Sequence, residues 1–160
     1  MGSADPVRTG QGKGGTLMTA HTSLTRRYKF AAMHRLHTGH LSEEENWKAF
    51  GKCNNPNGHG HNYVVLVTVE GAIREQTGVA ADVGALDRIV GEHVVRRFDH
   101  HDLNRDPAFA DKTTTGENLA ILIWELLVDK IPSGRLAKVG VVETRDNYFE
   151  YAGPAAVAAR

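Results

Sequence analysis

Two histidines at alternating positions lie directly before a strand-like run in this chain. His59 and His61 are followed by residues 64–69, Val-Val-Leu-Val-Thr-Val, which are rich in β-branched side chains. Because residues i and i+2 of a strand point to one face with Cα atoms about 6.5 Å apart, both imidazoles can face the same ion. Converging nitrogen ligands suit Zn²⁺. The pair therefore predicts a metal site, and two solvated side chains beside a turn are the alternative.

The only cysteine of the chain lies close to this pair. Residues 54–58, Asn-Asn-Pro-Asn-Gly, are turn formers, so Cys53 is predicted to lie on a loop that folds back beside the histidine strand. A single cysteine cannot form an internal disulfide. Cys53 is therefore either an inert buried thiol or a reactive one.

A second strand is predicted to start at Arg26, because its residues alternate between two faces. One face carries Tyr28, Phe30, Ala32 and His34. His34 becomes the natural third metal ligand if this strand pairs with the one that starts at His59. A satisfied core histidine is the alternative.

Two segments carry no strong periodicity. Residues 1–22 are rich in Gly, Thr and Ser and are predicted to be a flexible extension of a single domain over residues 23–160. Residues 35–52 are predicted to form an ordered surface loop in which His37 and His40 are solvated.

Two amphipathic helices are predicted farther along the chain. Asp82 is well placed as the N-cap of a helix over residues 83–98, whose apolar positions keep helical spacing. Thr114 and Glu117 fit a capping box for a second helix, in which an apolar stripe follows.

The final segment is predicted to contain strands over residues 136–151, with a turn at Asp146-Asn147. Glu143 falls in line with Val139 and Val141. An unpaired buried carboxylate is strongly disfavoured, so Glu143 lies either at the exposed end of the strand or against a partner.

The order strand, strand, helix, helix, strand, strand predicts an α+β fold, with a four-stranded antiparallel sheet and both helices on one face. The other face also carries apolar residues, and no further helix is available to cover it. Self-association would cover that face and also remove open sheet edges.

Composition argues against two classes of partner. The 19 basic residues balance the 19 acidic ones, so no overall basic field favours nucleic acid or an anionic membrane. No apolar run approaches the roughly 18 residues that cross a bilayer, and the N-terminus lacks the apolar core of a signal peptide. A cytoplasmic protein is predicted.

Five groups of residues, in order and spacing, resemble the 6-pyruvoyl-tetrahydropterin synthase family over about residues 28–153. Alone, Asp99-His100 would be interpreted as a polar helix end, but agreement of all five groups exceeds what chance provides. The groups are residues 30–37, residues 43–46 with the block 50–63, Thr115–Asn118, Glu143-Thr144 and Asp99-His100.

The resemblance implies a tunnelling fold, in which a trimer closes a β-barrel and two trimers stack into a homohexamer with active sites between subunits. It also implies one Zn²⁺ per subunit and a set of residue roles. The implied roles are zinc ligands at His34, His59 and His61, a base at Cys53 with partners Asp99 and His100, and a pterin anchor at Glu143 completed by Thr115 and Glu117.

The implied function is a zinc-dependent lyase that converts the small molecule 7,8-dihydroneopterin triphosphate to 6-pyruvoyl-tetrahydropterin and triphosphate, in tetrahydrobiopterin synthesis. Departures from the family are small: Ala31 and Met33 replace small or hydroxyl residues, Gly116 replaces a threonine of some members, and the loop after Asp106 is one residue shorter than in animal enzymes.

Two alternatives remain open. The related 6-carboxy-tetrahydropterin synthases of queuosine biosynthesis usually have three residues between the cysteine and the histidine pair, whereas five separate Cys53 from His59. A non-catalytic zinc- or pterin-binding paralogue is the alternative of another class. The presence of Cys53, Asp99 and His100 argues against it, because a binding module needs no base.

Overall fold

The two strands that carry the histidines form the centre of the sheet. In the computed structural model, which describes residues 20–155, β1 (His21–His34) and β2 (His59–Ala72) pair antiparallel over their full length. His34 lies directly opposite His59. The predicted pairing of these strands is therefore confirmed.

Strand β1 begins five residues before the predicted start at Arg26. His21 and Thr22 already pair with β2, so the end of the predicted extension 1–22 belongs to the sheet. The rest of that extension, residues 1–19, lies outside the described residues.

The sheet has five strands in the order β3-β1-β2-β4-β5. The other three strands are β3 (His101–Asp102), β4 (Arg135–Val142) and β5 (Tyr148–Tyr151). β2, β4 and β5 pair antiparallel, whereas β3 pairs parallel with β1. The predicted four-stranded antiparallel sheet is thus wrong by one strand, because two residues contain no alternation to detect.

A helix that the sequence analysis missed, α1 (Glu43–Phe50), lies within the predicted loop 35–52. Ser42 caps it: its hydroxyl accepts a hydrogen bond from the Glu45 N–H, and the Glu45 carboxylate accepts one from the Ser42 N–H. This is a capping box, and the spacing of Ser42 and Glu45 was a signal available in the sequence.

The first predicted helix, residues 83–98, is confirmed as one continuous helical segment. It consists of α2 (Val83–Val90), a π-helical turn (Gly91–Val95) and α3 (Arg96–Phe98). The side chain of Asp82 accepts a hydrogen bond from the Ala85 N–H at 2.9 Å, as an N-cap does.

The second predicted helix is present as α4 (Gly116–Leu127), but its predicted cap is wrong. Thr115, not Thr114, is the N-cap and accepts from the Asn118 N–H. Thr114 is buried, and its hydroxyl donates to the Arg35 carbonyl.

A single apolar core lies between one face of the sheet and these two helical segments, which agrees with the predicted placement of both on one side. The sheet contributes alternate residues, and the helices contribute their buried stripes. The core includes Phe30, Tyr63, Val65, Val67, Val139 and Val141 from the sheet and Leu86, Val90, Phe98, Leu119 and Ile123 from the helices. Within residues 20–155, no helix combines the length and apolarity needed to cross a bilayer.

The contact between α4 and β5 depends on Gly116, because a Cβ at this position would overlap the ring of Phe149. We predict that Gly116→Ala lowers the free energy of unfolding by roughly 1–3 kcal/mol, as overpacking does, measured by urea denaturation. Gly91→Ala is the matched control, since nothing lies within 4 Å of its Cβ position. It should be stabilising, because alanine is the better helix residue. Equal effects of the two substitutions would contradict this.

Candidate metal and catalytic site

Three histidines converge at one end of the β1–β2 pair. The ligand nitrogens of His34, His59 and His61 all lie within 4.8 Å of one another. The Nε2 atoms of His34 and His59 are 3.1 Å apart. All three rings lie on the sheet face that carries the core, because they continue the buried alternation of Phe30 and Tyr63.

The tautomer of His34 follows from its buried partner. Its Nδ1 lies 2.7 Å from the Thr114 carbonyl oxygen. A carbonyl can only accept, so Nδ1 carries the proton and the lone pair of Nε2 faces the other histidines. An imidazole oriented by a backbone carbonyl in this way is typical of metal sites.

Burial keeps two of these histidines in the neutral form that binds metals. Desolvation lowers the pKa of His34 below its ordinary value of 6.5, even though Glu143 opposes the shift. Desolvation and the neighbouring His61 also lower the pKa of His59. A neutral imidazole is the form that binds a metal, because the metal does not first have to displace a proton from it.

The cluster fits a metal ion by its geometry and by its unpaired atoms. Zn–N bonds of about 2.0–2.1 Å in a tetrahedral site separate two nitrogens by about 3.3 Å, close to the separation of the His34 and His59 Nε2 atoms. Within residues 20–155, the buried Nε2 of His61 has no hydrogen-bond partner. Three histidines with a fourth position open are the ligand set of catalytic zinc. These three residues can therefore bind a metal.

Glu143 lies directly after β4, beside the histidines. Its Oε1 is 3.7 Å from the Nε2 of His34, and its side chain is only 11% exposed. Together with burial, this carboxylate holds the pKa of Tyr63 above its ordinary value. Of the two possibilities that the sequence left open, Glu143 adopts the partnered one.

Cys53 lies near the end of β1, in the 3-10 turn Gly51–Asn54. Its carbonyl accepts a hydrogen bond from the Leu36 N–H at 2.9 Å, and its side chain is half-buried. The return of the chain to β1 needs Gly58, which has a φ of 69° and a Cβ position 2.8 Å from the Cε of Met33.

The Cys53 turn is held by the side chains of Arg35 and His37. Arg35 donates from Nε to both the carbonyl and the Oδ1 of Asn54. His37 bonds the same Oδ1 at 3.0 Å, so its predicted solvation is wrong. His40 is exposed, as predicted.

Asp99 and His100 form a pair at the other side of β1. The Asp99 carboxylate accepts from the Ala31 N–H at 2.9 Å and lies 3.0 Å from the Nδ1 of His100. The Ala31 hydrogen bond, with a smaller contribution from His100, lowers the pKa of Asp99. The carboxylate is therefore ionised at neutral pH and orients a ring that is 83% exposed.

Among residues 20–155, no hydrogen bond or ion pair joins this pair to Cys53. Cys53 is tied to Leu36, whereas Asp99 and His100 are tied to Ala31, five positions earlier. The structure thus brings Glu143 to the histidines and attaches Cys53 and the Asp99–His100 pair at different positions along the chain.

The remaining predicted site residues lie at the start of α4. The Thr115 hydroxyl serves the helix as N-cap, and Glu117 is an exposed residue of the first turn. The sequence analysis missed Thr114 as the partner of His34. The partner atom is a backbone carbonyl, which every residue type carries, so no sequence signal could have identified it.

The relatives of the chain show which class of protein this α+β fold and its three-histidine cluster belong to. The family described as 6-pyruvoyl tetrahydropterin synthase matches residues 23–154. The chain belongs to this family.

Individual relatives agree with this membership. Human 6-pyruvoyl tetrahydrobiopterin synthase is 48% identical over 131 residues, which cover 81% of this chain and 90% of the relative. The Poecilia reticulata protein of the same name is 43% identical, covering 81% and 89%. The solved structure of the Caenorhabditis elegans 6-pyruvoyl tetrahydropterin synthase has a TM-score of 0.81 and 38% identity, covering 85% and 98%. The predicted family and the predicted synthase activity are confirmed.

The lowered histidine pKa values predict how metal-free protein responds to acid. Because the folded pKa values of His34 and His59 lie below 6.5, the unfolded state binds more protons as the pH falls. Their contribution to stability is complete above about pH 6.5 and is lost below it. We predict that the urea midpoint falls from pH 7.5 to 5.5 and that His34→Gln reduces this fall. The exposed His40→Gln is the control, and an unchanged slope in His34→Gln would contradict the prediction.

Proposed function

We propose that this synthase is a zinc-dependent lyase that converts 7,8-dihydroneopterin triphosphate to 6-pyruvoyl-tetrahydropterin and triphosphate. The observation that carries the proposal is the cluster of His34, His59 and His61 with Glu143 beside it. A bound Zn²⁺ would polarise the side-chain oxygens of the substrate and so acidify the adjacent C–H bonds.

Glu143 is proposed to anchor the pterin. An ionised carboxylate can accept two parallel hydrogen bonds from a ring N–H and an amino group, which fixes the orientation of a planar heterocycle. Because Glu143 lies 3.7 Å from His34, the side chain of an anchored pterin would start at the metal site. Thr115 and Glu117 are proposed to complete the anchor.

Cys53, Asp99 and His100 are proposed to move protons. The Cys53 thiolate would accept a proton from substrate carbon, and His100, oriented by Asp99, would relay protons to and from oxygen. Triphosphate leaves with the electron pair of its C–O bond, and the other steps are proton shifts within the substrate. No external oxidant or reductant is therefore required.

The separation of Cys53 from the Asp99–His100 pair supports an active site shared between subunits. It is proposed that a trimer closes a β-barrel and that two trimers form a homohexamer, so that one subunit supplies Cys53 and a neighbour supplies the pair. The half-buried Val64 and Leu66, on the sheet face opposite the core, would be covered by this assembly. A cytoplasmic location remains a prediction.

The reaction is tested by incubating zinc-loaded protein with 7,8-dihydroneopterin triphosphate and determining the product by mass. We predict 6-pyruvoyl-tetrahydropterin with one triphosphate per turnover. Release of acetaldehyde would instead indicate the 6-carboxy product, and bound but unchanged substrate would indicate a non-catalytic paralogue. Protein treated with a chelator is the control and should be inactive until Zn²⁺ is returned.

Shared active sites predict complementation between inactive variants. Cys53→Ala and His100→Ala should each lose at least about 100-fold in kcat, the usual effect of removing a proton-transfer group, while still binding pterin. Mixed after dissociation and reassembly, they should recover part of the wild-type activity, since some sites then combine an intact Cys53 with an intact His100. Mixed assemblies that stay as inactive as either parent would contradict a shared site.

A further inference from the structure

One asparagine outside the predicted site ties three segments together beside the metal ligand His34. Asn104 lies in the 3-10 turn Leu103–Arg105, directly after β3. Its Oδ1 accepts from the Arg35 N–H at 2.6 Å, and its Nδ2 donates to the Arg35 carbonyl at 2.9 Å. One side chain thus satisfies both backbone groups of the residue that follows His34.

The same amide also reaches the residue that orients the His34 ring. The Nδ2 of Asn104 lies 3.3 Å from the Thr114 hydroxyl, which itself donates to the Arg35 carbonyl at 3.2 Å. The Thr114 carbonyl accepts from the Nδ1 of His34. Asn104 therefore holds the backbone on one side of His34 and the segment that carries its hydrogen-bond acceptor on the other.

We infer that Asn104 is a positioning residue for the metal ligand His34, acting through the backbone of Arg35 and Thr114. This inference rests on the metal site of the proposed function. A ligand needs both a fixed backbone and a fixed ring to hold its lone pair toward the ion, and the outer hydrogen bonds of such ligands usually account for about 10- to 100-fold in metal affinity. The side chain of Asn104 links the two, because it binds both the Arg35 backbone and the Thr114 hydroxyl.

A matched pair of substitutions separates this role from simple loss of stability. Asn104→Ala removes three hydrogen bonds, two with Arg35 and one with Thr114. Asp106→Ala, two residues later, also removes three, two from Arg97 and one from the Ala108 N–H, and none of these touches β1 or Thr114. Both substitutions should destabilise the same loop.

The first measurement is the dissociation constant for Zn²⁺, obtained by competition with a chromophoric chelator, alongside the visible spectrum of the Co²⁺ form. We expect Asn104→Ala to bind Zn²⁺ roughly 10- to 100-fold more weakly with an altered Co²⁺ spectrum, and Asp106→Ala to match the wild type in both. Wild-type affinity in Asn104→Ala, or an equal loss in Asp106→Ala, would overturn the inference.

A second variant keeps the test valid if Asn104→Ala does not fold. Thr114→Val keeps the carbonyl that His34 uses but removes the hydroxyl shared with Asn104 and Arg35. Thr114→Val should weaken Zn²⁺ binding by less than the roughly 10- to 100-fold expected for Asn104→Ala, and wild-type affinity in Thr114→Val would overturn the inference. Where Asn104→Ala folds, the double variant should lose less than the product of the two factors, because the substitutions share partners. Multiplicative losses would count against the connection through Arg35 and Thr114.

The last measurement distinguishes failure of the inference from failure of the proposed zinc dependence. Nitrogen-15 NMR of histidine in metal-free protein should show His34 as the Nδ1–H tautomer in the wild type and in Asp106→Ala, and a mixture in Asn104→Ala. A wild type that binds no zinc would overturn the zinc proposal and the role of Asn104 at a metal. An unchanged tautomer in Asn104→Ala would overturn only the role of Asn104.

Discussion

The pairing of β1 with β2 is the constraint on which the site depends. Their register places His34 opposite His59, and the same face continues inward with Phe30 opposite Tyr63. A slip of one residue would turn every side chain of a strand to the other face. It would therefore expose Tyr63 and its buried neighbours, each of which contributes about 1.5–3 kcal/mol through burial. The hydrophobic core fixes the register, and the register in turn fixes the positions of the three histidines.

The same burial sets the chemistry of the ligands. Burial at the end of the core face lowers the pKa values of His34 and His59, so both stay neutral in the absence of a metal ion. Glu143 opposes this effect at His34, yet burial remains the larger influence. Glu143 is therefore the acidic neighbour of an imidazole that burial keeps neutral.

Much of this arrangement was predictable, because it depends on side chains that recur with the period of a strand or a helix. The alternation of His59 and His61 and the phase of His34 with the aromatic face predicted the three-histidine cluster. Helix α1 could have been predicted too, since Ser42 and Glu45 have capping-box spacing. The short β3 could not have been predicted, because two residues are too few to show an alternating pattern. The role of the Thr114 carbonyl could not either, because every residue type carries a backbone carbonyl.

Cys53 and the Asp99–His100 pair are attached at different positions along the chain, although the sequence suggested one active centre. Two motifs can contact the same strand and still lie apart, because positions along a strand are separated by about 3.3 Å per residue. The Asp99 carboxylate is bonded to Ala31 within β1, whereas the Cys53 carbonyl is bonded to Leu36, two residues after the end of that strand. Sequence motifs specify which groups a reaction uses. The hydrogen-bond partners of the chain show where one subunit places each of these groups.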